Sequence, residues 1–353
     1  MSWRHGGKMK LLKKMYLCTL ACLFLSNCGE EVRFKKIPDA PIPPTVNPTP
    51  PPIQAQKVEE DFIQSDTEGS ADILFVVDNS GSMFNEQEKV GEKINSMISK
   101  IQKIDWQIGI TTTDVSNGPH GIKGDLLNFP DGSKILSPSS TEIVNQFVAT
   151  VERDETLDCY NGSDNPCPSR DEQPLLATMM ALSKADSNNA GFFRQNSHFV
   201  LIVLSDEDEL STGPDFATKP QEVVQLVQNT LGLTKKFISF GIIIEPGDTN
   251  CFDQEVYGEY GTFVSELASL TNGSTTSICE DDYGEGLKSI GDQVRQLVDS
   301  IELRDYPEKE SIEIKLEPDF ETQGFQVSGK KILLNRKPPK GTKISVRYRP
   351  KTN

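Results

Sequence analysis

Histidine is nearly absent from this chain: 353 residues contain only His5, His120 and His198. No cysteine pair has Cys-x-x-Cys spacing. Zinc centres and Cys/His nucleophile chemistry draw on those residues, so neither is expected. An apolar run long enough to span a bilayer as a helix is also missing. Basic charge is scarce, with 36 Lys and Arg against 52 Asp and Glu, for a net charge of −16. The deficit is concentrated in residues 29–303, where 45 acidic side chains face 19 basic ones. Such a body repels nucleic acid and anionic lipid, and a nucleic-acid partner is not expected. An acidic surface also attracts divalent cations, although it equally serves solubility.

What is present begins with a targeting segment. Lys8, Lys10, Lys13 and Lys14 precede an apolar run from Met15 to Leu25, the layout of a signal peptide. Leu25-Ser26-Asn27-Cys28 resembles a bacterial lipobox, with Asn27 departing from the usual small residue. That resemblance implies lipidation at Cys28, an outer-membrane lipoprotein of the cell envelope, and contact with the membrane through the lipid anchor alone. Eight prolines between Pro38 and Pro52 then make residues 29–56 an extended tether. Four cysteines remain beyond this region, and an even number in an exported chain suggests two disulfides. Of three connectivities, Cys159–Cys167 is expected because it closes a local polar loop, which leaves Cys251–Cys279.

Between residues 57 and 303 the pattern alternates. Apolar segments at 72–78, 199–204 and 237–244 read as strands buried on both faces, and 106–110 and 275–278 as further strands. A short strand and turn is expected over 126–136. Helical periodicity recurs at 84–103, 140–151, 173–184, from Pro220, at 259–270 and at 284–303. This alternation implies a doubly wound, mostly parallel sheet flanked by helices. Residues 304–353 lose the helical pattern, and four short alternating segments imply a small all-β domain. It either packs on the main domain or recruits 58–64 as another strand.

The strand at 72–78 runs into Asp78-Asn-Ser80-Gly-Ser82, a carboxylate and two hydroxyls alternating in one turn. The strand at 199–204 runs into Ser205-Asp206-Glu207-Asp208. Neighbouring central strands of a parallel sheet converge at their carboxyl ends, so Asp78 and Asp206 can share one oxygen-rich site for a hard cation. With Asp72-Ile-Leu-Phe-Val-Val-Asp78-Asn-Ser-Gly-Ser-Met and Leu-Ile-Val-Leu-Ser-Asp206, the chain resembles the von Willebrand factor type A domain over residues 68–303. That resemblance implies a Rossmann-like fold and a metal-ion-dependent adhesion site for one magnesium or calcium ion. Ser80 and Ser82 would bind the ion directly, and Asp78 and Asp206 largely through water.

The family's threonine before the third helix aligns here with Glu172. A carboxylate there adds negative charge to the ion and favours calcium; alternatively, Glu172 is a first-turn acid of a helix. The function implied is not enzymatic. It is adhesion, with the ion engaging an acidic group of a partner protein or surface polymer. A metal-independent assembly factor is the alternative. A metal-assisted hydrolase, with Glu207 or Asp208 as base, is the remaining one.

Overall fold

Strand β2 (Ser70–Val77) is buried at every position, which explains its unbroken apolar sequence. Ile73, Phe75 and Val77 enter one core and Leu74 and Val76 the other, as the period of two requires. The computed structural model describes residues 56–64, 69–195, 197–210, 216–232, 235–255 and 258–351. The expected signal segment, Cys28 and the tether up to residue 55 lie outside the described residues.

Ahead of β2 lies β1 (Val58–Ile63), and after it a single 3-10 turn leads into α1 (Phe84–Ile101). Next come β3 (Asp105–Thr112), α2 (Ile143–Val151), α3 (Asp154–Tyr160), α4 (Pro174–Ser183) and β4 (His198–Leu204). The chain continues with α5 (Pro220–Leu231), β5 (Phe237–Ile243), α6 (Thr249–Gln254), α7 (Thr262–Leu270) and β6 (Thr275–Ser277). It ends with α8 (Gly284–Asp299), β7 (Ser300–Glu302), β8 (Glu313–Glu317), β9 (Phe325–Ser328), β10 (Lys331–Leu334) and β11 (Lys343–Tyr348).

Five strands form a parallel sheet in the order β3-β2-β4-β5-β6. Val90, Ile94 and Met97 of α1, Phe147 of α2 and Leu287, Ile290 and Val294 of α8 fill the core on one side. Leu175 of α4, Val223 of α5 and Val264 and Leu267 of α7 fill the other. At the amino end of the strands, buried Asp72 receives the Arg194 Nε at 2.7 Å and the Arg194 backbone N at 2.8 Å.

The expected architecture needs correction. The chain does not divide into a doubly wound domain and a separate all-β domain at 304–353. Its antiparallel part is two three-stranded sheets, β1-β11-β8 and β7-β10-β9, and each takes one strand from before residue 304. Four short strands alone would leave a thin core and open edges. β1, the 58–64 segment expected as an added strand, and β7, which was not expected, supply the missing pairing. Leu303, Leu316, Ile332, Ile344, Val346 and Tyr348 bury a common core. The last helix correspondingly stops at Asp299, and residues 300–302 pair with β10. Over 126–136 the expected strand is reduced to one bridge, Ile108 with Leu136. Helices α3 and α6, both short, had no periodic signal.

Two disulfides form, Cys159–Cys167 and Cys251–Cys279, each with Cα atoms 5.6 Å apart. Both are the expected pairings and are compatible with an exported chain. Among the described residues no helix is long and apolar enough to cross a membrane.

Candidate functional site

β2 and β4 are neighbours in register, Val77 opposite Leu204. The residues that follow them, Asp78 and Ser205, therefore meet at the carboxyl edge of the sheet. The Ser205 hydroxyl donates to Asp78 Oδ2 at 2.7 Å, and the Ser80 N–H donates to Asp78 Oδ1 at 2.8 Å. Asp78 N donates to Leu204 O at 2.9 Å, so the turn is tied to β4 before any side chain acts. Beyond it, Ser80 Oγ and Ser82 Oγ lie 3.0 Å apart, Ser80 half-buried and Ser82 exposed.

The turn is clamped from behind. Gln87 Nε2 on α1 donates to Asp78 O at 2.7 Å, and the Thr156 hydroxyl on α3 donates to Asn79 O at 2.8 Å. Gly81 runs beside the bridged loop: a Cβ there would come 3.0 Å from Cys159 Cβ and 3.2 Å from Tyr160 N. Only glycine allows so close an approach without displacing the loop.

The four acids after β4 divide into distinct roles. Asp208 is not solvated: its carboxylate accepts from Thr262 N and Phe263 N, each at 3.0 Å, and caps α7. Glu209 accepts from Leu175 N at 2.7 Å and from Leu176 N at 3.3 Å, capping α4. Burial raises Asp208 to about 6 and Glu209 to about 7, against the amide donors that favour their charged forms. Glu207 lines the open cleft. Asp206, 2% exposed like Glu209, is the one of the four with a buried carboxylate oxygen, Oδ1, that bears no hydrogen bond.

Asp78 and Asp206 both sit above the usual carboxylate range. Burial is the main cause, and for Asp206 the charge of Asp78 adds to it. The Ser80 N–H and Ser205 hydroxyl partly offset the rise at Asp78, as the Ser82 hydroxyl does at Asp206. Neither pairs with a lysine or arginine among the described residues. Two adjacent buried carboxylates without a counter-charge need a proton or a cation. The unpaired Asp206 oxygen and the serine hydroxyls make a donor set suited to a hard divalent ion. Among the described residues no three His, Cys, Asp or Glu side chains gather as a metal-ligand group. A shell of two carboxylates and two hydroxyls is too poor in such residues to form one.

Over this turn lies a cleft of about 690 Å³, walled by Tyr160, the Cys159–Cys167 bridge and residues 168–172 on one side. Glu207 and Glu259 complete its lining. Glu172 is 2% exposed and borders the cleft, with its carbonyl accepting from Leu210 N at 2.7 Å. It precedes α4 rather than lying in its first turn, because Gln173 occupies the N-cap and Pro174 the first position. The helix-acid role imagined for Glu172 therefore belongs to Glu209. Of the five expected ligands, Ser80, Ser82 and Glu172 line the cleft, while Asp78 and Asp206 lie buried at the ends of β2 and β4. Glu172 does not join those two acids as a ligand group of three among the described residues.

Ser205, Gln87, Thr156 and Glu259 were not singled out from sequence. Ser205 was readable in principle, since aligning the ends of the two buried strands sets it opposite Asp78. Gln87, Thr156 and Glu259 carry no local signal. Of the threonines ending β3, Thr111 donates to Asp125 O at 2.9 Å, and Thr112 Oγ1 is buried without a partner.

No family model matches the chain, and no curated protein matches it. Solved structures show distant likenesses. Proximal thread matrix protein 1 from the mussel byssus is 12% identical, with a TM-score of 0.36, over 70% of this chain and 50% of that one. The pilus adhesin SpaC of Lactobacillus rhamnosus GG, in its open conformation, is 11% identical, with a TM-score of 0.32, over 84% and 41%. The chain thus spans half or less of the length of these proteins. At such TM-scores neither likeness identifies a fold family. The Rossmann-like von Willebrand type A architecture expected from sequence gives way to the observed arrangement of one parallel and two antiparallel sheets.

Proposed function

We propose that the chain is a divalent-cation-dependent binding module of the bacterial envelope, engaging an acidic group of a partner protein or surface polymer. The observation that carries this reading is the buried Asp206 carboxylate, unpaired at Oδ1 and next to Asp78, with no cationic side chain paired to either among the described residues. Asp78, Ser80, Ser82 and Asp206 would hold the ion, with Glu172 as a fifth contributor. A magnesium or calcium ion supplies positive charge for a partner's carboxylate. The chain's own residues do the rest. Gln87 and Thr156 hold the turn, Ser205 orients Asp78, and the bridged loop keeps the cleft open.

Binding rather than catalysis is favoured by what surrounds the serines. His120 bonds to Pro166 O at 2.9 Å, and His198 lies at the opposite end of β4. Neither hydrogen-bonds to Ser80 or Ser82 among the described residues, and Asp208 is engaged in capping. Lipidation at Cys28 and attachment to the outer membrane belong to this proposal. Fractionation of Cys28→Ser cells tests them, with a soluble or unprocessed product expected and wild-type membrane attachment refuting them.

A metal-independent scaffold is the second reading. It draws on the two donors that already satisfy Asp78, which leave a proton on Asp206 as the remaining requirement. Calorimetry with magnesium and calcium on the wild type and on Asp78→Ala separates the two. The proposal expects saturable heat from the wild type and none from the variant. Equal heats, or no wild-type binding at millimolar metal, leaves the scaffold.

A further inference from the structure

We propose that the partner's acidic group is flanked by basic side chains, and that Asp171 and Glu259 select for them; this rests on the ion-dependent reading above. The cleft of about 690 Å³ is far larger than one carboxylate, so residues beside the partner's acidic group also enter it. Among the described residues four acids line it, Asp171, Glu172, Glu207 and Glu259, against one basic residue, Arg170. A bound divalent ion would neutralise Asp78 and Asp206, and with Glu172 turned to the ion the remaining Asp171, Glu207 and Glu259 would still leave the mouth acidic. A partner offering only negative charge would be repelled there, whereas cations beside its carboxylate would be attracted.

Asp171 and Glu259 are placed for this selection. Ser169 N donates to Asp114 Oδ2 at 3.0 Å and Gln173 N to Thr113 O at 3.3 Å, so Asp171 flanks the site from the β3 side. Glu259 N donates to Asp206 O at 2.8 Å just ahead of α7, so Glu259 flanks it from the β5 side. Neither carboxylate makes a hydrogen bond or ion pair among the described residues. Asp78, Glu209 and Asp208 differ in this, since each is committed to an internal donor. Two carboxylates thus remain available to partner cations on either side of the Ser80–Ser82 turn.

Calorimetry on the whole mature protein in saturating magnesium tests the proposal with three peptides. They are acetyl-Gly-Lys-Asp-Lys-Gly-amide, the same peptide with Gly for both Lys, and the same peptide with Asn for Asp. The Lys-Asp-Lys peptide should bind about fivefold tighter than Gly-Asp-Gly, as two modest surface pairs allow, and the ratio should fall toward one in molar salt. In the double variant Asp171→Asn/Glu259→Gln the ratio should also approach one, while magnesium affinity, titrated separately, stays nearly unchanged. Equal binding of the first two peptides by the wild type, or a preference that survives in the double variant, overturns the inference alone. Lys-Asn-Lys binding as tightly as Lys-Asp-Lys overturns it as well, since capture would then need no acidic group. Absence of any magnesium heat removes the underlying reading together with this one.

Discussion

Replacing Asp206 by Asn tests the electrostatic strain at the site without changing its shape. In the metal-free protein, burial and the neighbouring Asp78 raise Asp206 above its ordinary value. The folded state therefore holds protons that the unfolded chain releases from about pH 4 upward, and stability falls as pH rises through that window. Asp208, Glu209 and Asp72 contribute in the same direction, being raised to about 6, about 7 and about 6. His198 works oppositely: it is lowered to about 4, so its contribution is lost as pH falls from 6.5. All four are unchanged in Asp206→Asn, so the difference between variant and wild type isolates the Asp78–Asp206 pair. The metal-free variant should melt above the wild type at pH 8, with the gap closing toward pH 5. Saturating metal should reverse the order. A ligand at one hundred times its dissociation constant stabilises by about 2.7 kcal/mol, or about 5 °C in a chain of this size. That rise should appear in the wild type and not in the variant. Thermal melts at pH 5, 6.5 and 8, with EDTA or magnesium, provide the readout. A variant that melts below the wild type at pH 8 in EDTA, or that gains equally from magnesium, would refute the reasoning.

Glu209→Ala should destabilise the protein by about 1–3 kcal/mol, because Leu175 N and Leu176 N lose their acceptor at the start of α4; urea titration measures it. Arg194→Met should cost about 3–5 kcal/mol at pH 8 by leaving Asp72 buried without its partner, and less near pH 5, where Asp72 takes up a proton. Breaking either disulfide should lower stability by about 2–4 kcal/mol, with the Cys251–Cys279 bridge, which spans 28 residues against 8, contributing more. Peptide mapping without reduction should recover these two pairs, and melts of the Ala–Ala variants should rank them.

Much of the site could be read in one dimension because its signals are local. A strand covered on both faces must be apolar at every position, so β2, β4 and β5 announce themselves over residues 73–77, 199–204 and 237–243. Residues that end such strands lie at the edge of the sheet, which brought Asp78 and Asp206 together on paper. The antiparallel part was harder. The thin core of four short strands pointed to 58–64 as an added strand, and β1 does pair with β11, Val58 opposite Tyr348. Periodicity within a segment could not say which strand so distant a partner would join. β7 was absorbed into the preceding helix because Ile301 continues the apolar spacing of α8, although residues 300–302 belong to a sheet.

The run Asp206-Glu207-Asp208-Glu209 shows where sequence stops. Its composition alone determined that an acidic cluster follows a buried strand and that the site would be rich in oxygen ligands. Which carboxylate faces inward and which close the helices was decided by the tertiary structure. It presents the free amides of α4 and α7 to Glu209 and Asp208 and leaves Asp206 beside Asp78. A carboxylate has the same chemistry at each position, and only the donors brought near it by packing determine whether it caps a helix or awaits a cation.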